Sequence, residues 1–500
     1  MIFEKVFEEL TQYPFVEKML ICQEHATKLM KLCYLDILNR EDNMVYPWEL
    51  ETFAELSLLA EGTEPTKSFN LSGYRAFSEI INSIRNYMHP HLEHKKGTAE
   101  FAHDFIMVTG MIQFKVQENI LNRIYRYKYF FDFQNNNLDM RSEFYSSFDG
   151  LYYEDFVELA VLIYFFASFK ANTSDIIKFI AQRRLDVVQK LKISRHDYIE
   201  KQQEKNKYDL ENSFYGFNYL FPYPFIEYMG FIFLPLPYLV VDAITDSLLT
   251  RMTFGKDRLR EAIGKEVAQQ YIIDIMKQSN IYDEVLPEQS YMKGKDKIDT
   301  PDIMIKQENL YCLIDSKLST PKLSLRQFEQ IDVDKTIQQY AKNIKQIFER
   351  INEFGTCYYP FKNIRTIEKQ NIFGLIVLFE ESYISKEKIY KKACDMIGVD
   401  FYSSQGRFVV SNIKLIDLHG LELFSFSSYS IFPSLIEKRD NMQLLYDIGI
   451  YNHSLYKDIK PKKPKNLKIF ERNIHEIYEY EIHDLVEAGL VDKRKPQGLQ

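Results

Sequence analysis

Two short segments hold the residue types of phosphoryl chemistry: Pro301-Asp302 in TPDIMIK and Asp315-Ser316-Lys317 in LYCLIDSKL. Both segments read as strands, and the polar stretch Gln307–Asn309 between them reads as a hairpin. A two-residue turn at Glu308-Asn309 pairs Gln307 with Leu310, Lys306 with Tyr311, Ile305 with Cys312, Met304 with Leu313, Ile303 with Ile314 and Asp302 with Asp315. The two carboxylates then stand opposite one another, with Cβ atoms about 5 Å apart. A three-residue loop would make the pair diagonal instead. Like charges facing each other on a sheet are destabilising. A divalent cation between them removes that penalty, and Mg²⁺ prefers such hard oxygen ligands.

Lys317 follows Asp315 by two residues and so shares its face of the strand. The preceding run LYCLI is apolar on both faces, the pattern of a central strand. Charged groups at the end of such a strand are costly unless paired. Around a metal and a phosphate they have a purpose: the acids hold the cation, and the lysine orients the nucleophile or offsets developing negative charge. The plain alternative is a solvated strand end, since D-x-K tripeptides are common.

The elements that must position these residues follow an α/β order. The spacing predicts a helix over about 257–278, a strand near 283–289, strands at 302–306 and 310–318 and a helix at 334–352. A strand at 372–380, a helix at 385–397 and a strand near 408–418 complete the set. Together with Pro301-Asp302 and Asp315-Ser316-Lys317, this order resembles the PD-(D/E)XK, restriction-endonuclease-like superfamily over residues 257–420. The resemblance implies phosphodiester hydrolysis dependent on Mg²⁺ or Mn²⁺, with Asp302 and Asp315 as metal ligands and Lys317 as the catalytic lysine. Members often add a glutamate from the preceding helix. Ile263-Gly264-Lys265-Glu266 resembles that pattern and makes Glu266 the third acid, ahead of Glu261 on a solvated face. Some branches also place a glutamine and a tyrosine on the helix after the lysine strand, where Gln338 and Tyr340 stand here. Ordinary core packing is the alternative for Tyr340.

Residues 1–210 read as a helical domain for recognition or regulation, with an amphipathic face at Phe77, Ile80, Ile81 and Ile84. The apolar stretch 156–169 reads as a central buried helix. Breaks are expected at Pro65, at Pro90 and in the QNNN run at 134–137. Residues 211–256 read as an aromatic, proline-rich connector with short strands, 257–435 as the nuclease-like domain, and 436–500 as a basic linker with a final helix. A second chemical signal lies in SIRNYMHPHLEH. Arg85 and His89 are spaced to share a helix face that Pro90 ends. This resembles the arginine–histidine motif of HEPN ribonucleases, which cut RNA without metal, although His89 falls one residue early and His91 one late. His89, His91, His94 and His103 are alternatively a metal cluster, and a polar helix end is the plain reading.

Composition sets the outer limits. With 46% hydrophobic and 27% charged residues, 38 Phe and 35 Tyr, the chain can fill large cores, and its length suggests two to four domains. A net charge of −8 excludes a globally basic nucleic-acid coat but not a basic groove beside an acidic centre. Five scattered cysteines without a CxxC pair, and an N-terminus carrying acids from Glu4 onward, predict a reducing, cytoplasmic location. The longest apolar run, 159–169, is too short for a membrane span, which needs about 20 residues. The expected partner is nucleic acid, DNA ahead of RNA, with a homo-oligomer or a partner defence subunit as further expectations. By analogy, a helical extension on such a nuclease points to bacterial restriction or anti-phage defence. The rival reading is a nuclease-like fold kept as a nucleic-acid-binding or scaffold module.

Overall fold

The computed structural model describes residues 2–30, 45–62, 64–72, 74–113, 118–167, 173–207, 209–293, 295–318, 320–354, 368–437, 439 and 462–490. The chain forms two compact units. One comprises residues 1–96, 115–256 and 471–500, the other residues 97–114 and 257–470.

The first unit is mainly helical. Its opening helix Ile2–Leu10 buries Phe3, Val6 and Leu10 at helical spacing. Phe77, Ile80, Ile81 and Ile84 face the same core, as their periodicity predicts. The helix Tyr153–Ala167 is buried nearly all round, including Phe156, Leu159, Ile163 and Phe166; residues 168 and 169 lie outside the described residues. A three-stranded sheet joins Lys192–Ser194 in parallel to Phe225–Tyr228, which pairs antiparallel with Phe231–Phe233. The stretch expected as a connector thus does more than connect. Ile226, Leu236 and Leu239 fill this unit's core, while the prolines at 222, 224, 235 and 237 punctuate the chain before it turns helical at Leu239. In the final helix Lys465–Glu487, Tyr478 stacks on Phe166, and buried Glu481 pairs with Arg184 at 3.0 Å. The basic linker at 457–461 lies outside the described residues.

The second unit includes helix α1 (Ala99–Gln113), where a Cβ at Gly110 would lie 2.4 Å from the Tyr383 ring. Helix α2 runs from Asp257–Ala262 through a π-helical stretch Ile263–Ala268 to Gln269–Ser279. Strands β1 (Glu284–Pro287), β2 (Ser290–Lys293), β3 (Asp296–Asp299), β4 (Ile303–Gln307) and β5 (Leu310–Lys317) follow. Then come α3 (Gln330–Phe354), β6 (Ile372–Leu378), α4 (Lys386–Ile397), α5 (Ser404–Asn412), β7 (Ile413–Asp417) and α6 (Leu418–Ser427). The main sheet has the order β7-β6-β5-β4-β1. β5, β6 and β7 run parallel, while β4 is antiparallel to both its neighbours.

The strand expected near 408–418 begins only at Ile413, because Ser403 caps a helix there by accepting the Gly406 N–H at 3.1 Å. The β2–β3 hairpin was not foreseen. The β4–β5 hairpin has the predicted register, Ile303 opposite Ile314 through Gln307 opposite Leu310. Its turn holds Glu308 at φ 55°, and Asp283 Oδ2 accepts the Glu308 N–H at 2.6 Å. That charge-assisted bond offsets a conformation glutamate seldom adopts.

Helix α3 covers one face of the sheet. Phe354 meets Tyr311 at 5.1 Å, and a Cβ at Gly374 would lie 2.1 Å from Ile347 Cγ2, so the helix approaches over a glycine. Alternation then places Leu313, Asp315 and Lys317 on the α3 face with Tyr311. Phe373, of opposite parity to Gly374, meets Phe432, whose ring also touches Tyr282 just beyond α2.

Candidate active site

One residue beyond the last β4–β5 pair, Asp302 and Asp315 stand opposite each other at the C-terminal end of β5. Asp302 is half-buried, and the Ser316 N–H and Ser316 hydroxyl both donate to its Oδ2, at 2.7 and 2.9 Å. Asp315 is 9% exposed. Its nearest cation, Lys317 Nζ, stops at 3.7 Å from Oδ2. Burial pushes the Asp315 carboxyl above the usual carboxylate range; Lys317 opposes this, the Asp302 charge adds to it, and the Asp302 amide and Arg350 oppose it. Two carboxylates and a lysine thus share one strand end, with one acid held partly against its charge.

The π-helical stretch of α2 approaches this end of the sheet. A Cβ at Gly264 would lie 3.4 Å from Leu318 Cβ, an ordinary contact, which shows how near the helix lies to the strand exit. Glu266 lies in that stretch and is half-buried. Among the described residues it does not complete, with Asp302 and Asp315, a group of three whose ligand atoms all lie within 4.8 Å of one another. Gln338 is exposed on α3, whereas Tyr340 is 3% exposed and belongs to the core. Helical alternation explains the split, since Tyr340 lies on the buried face with Ala341, Ile344 and Ile347.

Sequence reasoning missed several residues around this strand end. Glu288, between β1 and β2, has its carboxyl raised by burial and by the charges of Asp302 and Asp299; Lys265 opposes and Asp315 adds to the rise. Arg350 Nη1 donates to Glu353 Oε2 at 3.0 Å, and the Tyr291 hydroxyl donates to the same oxygen at 2.8 Å. Burial and that hydrogen bond push the Tyr291 hydroxyl up to about 12. A glutamate between two strands carries no local signal. Arg350 and Glu353 are three apart on a long helix and look like a solvated pair in sequence.

The N-terminal signal resolves differently from its expectation. The helix Tyr74–Arg85 ends at Arg85, and Pro90 opens the next one, Pro90–Lys95, instead of closing the first. Proline is favoured at a first helical position because no N–H is needed there. His89 is the N-cap, its Nδ1 accepting the His91 N–H at 3.2 Å, so Arg85 and His89 do not share a helix face. Arg85 is bound bidentately to buried Glu49, at 2.6 and 2.9 Å, and Glu49 also accepts the Tyr46 N–H. His89, His91 and His94 do not bring three ligand atoms together, and His103 belongs to the other unit. Elsewhere in the first unit, His196, Asp197 and Glu200 do converge, as do His483, Asp484 and Glu487. Both groups lie on solvated helix faces.

The chain matches no protein-family model, no curated protein and no solved structure. The described residues contain no helix long and apolar enough to cross a membrane.

Proposed function

We propose that the second unit is a metal-dependent nuclease of the PD-(D/E)XK kind, hydrolysing phosphodiester bonds of nucleic acid, with DNA favoured over RNA. The observation that carries this reading is the alignment of Asp302 with Asp315 across adjacent strands, with Lys317 two residues further on the same face. The element order supports it: a helix, antiparallel strands β1, β4 and β5, a crossover helix, and β6 parallel to β5.

The donor set suits Mg²⁺ or Mn²⁺. Both acids offer hard oxygens, and the hydrogen bonds on Asp302 go to Oδ2, which leaves Oδ1 as a ligand. Asp302 and Asp315 would hold the cation. When bound, it supplies neutralisation of the phosphate charge and an acidified water. Lys317 orients the attacking water and offsets the negative charge that grows on the phosphate in the transition state. Ser316, through two hydrogen bonds, fixes the rotamer of Asp302. By analogy, the helical first unit selects or controls the target, and the protein acts in cytoplasmic anti-phage or restriction defence, alone, as an oligomer or with a partner subunit.

One observation favours a second reading, a nuclease-like fold retained for nucleic-acid binding: Ser316 holds one oxygen of Asp302 and Lys317 lies 3.7 Å from Asp315, so both acids have partners within the protein. Incubation with plasmid, linear DNA and RNA, with Mg²⁺, Mn²⁺ or EDTA, separates the two. Metal-dependent cleavage that Asp302→Ala and Asp315→Ala each abolish is the expected result. Binding without cleavage under every condition refutes the nuclease reading.

A further inference from the structure

The two antiparallel ladders that meet at Asp302 do not share one register. In the β1–β4 ladder Pro287 faces Ile303, whereas in the β2–β3 ladder Ser290 faces Asp299. The latter continues one step, because the Thr300 N–H donates to the Gln289 carbonyl at 2.9 Å and Thr300 Oγ1 accepts the Gln289 N–H at 2.9 Å. Gln289 therefore faces Thr300, and the single residue Glu288 faces both Pro301 and Asp302. This is a β-bulge, and Pro301, with no N–H to give the ladder, is the residue type that tolerates one. β1 and β2 are thus two halves of one bent strand, and Glu288 sits at the bend.

The bulge has a chemical consequence. The next step of the β1–β4 ladder brings Glu288 beside Asp302, and the next step of the β4–β5 ladder brings Asp302 beside Asp315. Continuing the register thus puts the backbone positions of three carboxylates in one row across three neighbouring strands, with Asp302 in the middle, although, as for Glu266, the ligand atoms of Glu288, Asp302 and Asp315 do not all lie within 4.8 Å of one another. Cross-strand neighbours in such a row have Cβ atoms about 5 Å apart. The end member, Asp315, is 9% exposed, with the Asp302 amide and Lys317 Nζ, 3.7 Å away, as its partners.

We infer that Glu288, delivered by the bulge at Pro301-Asp302, is the third carboxylate of the metal centre, in the role that the sequence pattern gives to Glu266. The inference rests on the nuclease reading and adds a specific ligand to it. A glutamate has the reach to close on a cation held by Asp302 and Asp315.

The test is Mn²⁺ binding to the full-length protein, followed by calorimetry and by the electron paramagnetic resonance signal of free Mn²⁺. Glu288→Gln, Glu266→Gln and Asp302→Asn are compared, with thermal melts in EDTA to verify folding. Glu288→Gln is expected to weaken Mn²⁺ binding about tenfold or more, the order seen even for outer-shell partners of metal sites. Glu266→Gln is expected to change it less than twofold. Glu288→Asp, which keeps the charge with a shorter reach, is expected to fall between wild type and Glu288→Gln. If Asp302→Asn weakens binding but Glu288→Gln does not, or if Glu266→Gln matches Glu288→Gln, the third-ligand inference is overturned and the nuclease reading stands. If Asp302→Asn leaves Mn²⁺ binding intact, both fall together.

Discussion

Asp315→Asn is expected to stabilise the metal-free protein while abolishing its response to metal. Two carboxylates whose separation is about that of their cross-strand Cβ atoms, about 5 Å, would repel by roughly 3 kcal/mol at an effective dielectric near 20. Lys317 at 3.7 Å attracts Asp315 by about 4 kcal/mol on the same basis, but its side chain is 30% exposed and solvent screening removes much of that. The pair terms therefore nearly cancel. The desolvation of a nine-tenths buried carboxylate remains, and it is the largest influence on this group. An amide of the same shape avoids it, so the variant should gain about 1 kcal/mol, roughly 2–4 °C in Tm for a domain of this size.

The sign with pH is definite. The native carboxyl titrates above its ordinary value of 3.8, so between the two values the folded protein binds more protons than the unfolded one. Stability contributed by Asp315 is present below 3.8 and is lost as pH rises through the native value. Asp315→Asn should lack that component of the slope. Melts in EDTA across pH 4–8, repeated with saturating Mn²⁺, provide the assay. Wild type should gain about 2.7 kcal/mol at a hundredfold excess over Kd, and the variant close to none. A variant that melts below wild type in EDTA at pH 7, or that gains as much from Mn²⁺, refutes the reasoning.

Lys317→Ala should keep Mn²⁺ binding within a few-fold and lower kcat by about 10²–10³, because the ammonium acts on charge that exists only in the transition state; calorimetry beside single-turnover cleavage measures both, and joint loss would make the lysine structural. A His89→Ala, His91→Ala double variant should cleave like wild type with Mg²⁺, and EDTA should silence wild type on DNA and RNA alike; RNA cleavage that survives EDTA and disappears in the double variant would move the chemistry to the first unit. Gly374→Ala should lower stability by about 1–3 kcal/mol, since its Cβ would lie 2.1 Å from Ile347 Cγ2 in a buried strand–helix contact; a denaturant melt unchanged from wild type would show that α3 can move aside.

The sequence by itself determined what depends on near neighbours. The apolar run 311–314, the polar turn Glu308-Asn309 and the two-residue step from Asp315 to Lys317 sufficed for a central strand, a hairpin register and a shared face. Register is legible there because the polar two-residue turn sets which residues pair; the strand itself, buried on both faces, has no alternation to set it. The buried helix around Leu159 and the split between Gln338 and Tyr340 follow from helical period in the same way.

Tertiary structure decided what depends on partners far along the chain. Glu288 reaches the Asp302 row only because two ladders of different register meet at Pro301, and a bulge is defined by the strand opposite, which local composition does not encode. Arg350 acts on Asp315 only because α3 crosses over that face of the sheet. The helix Ala99–Gln113 packs into the second unit, with Gly110 under the Tyr383 ring and the Met111 carbonyl accepting from Arg326, contacts with no periodic signature. At His89 the letters suggested a helix face, but the backbone made a cap, because a proline at 90 serves equally to end one helix or to begin the next.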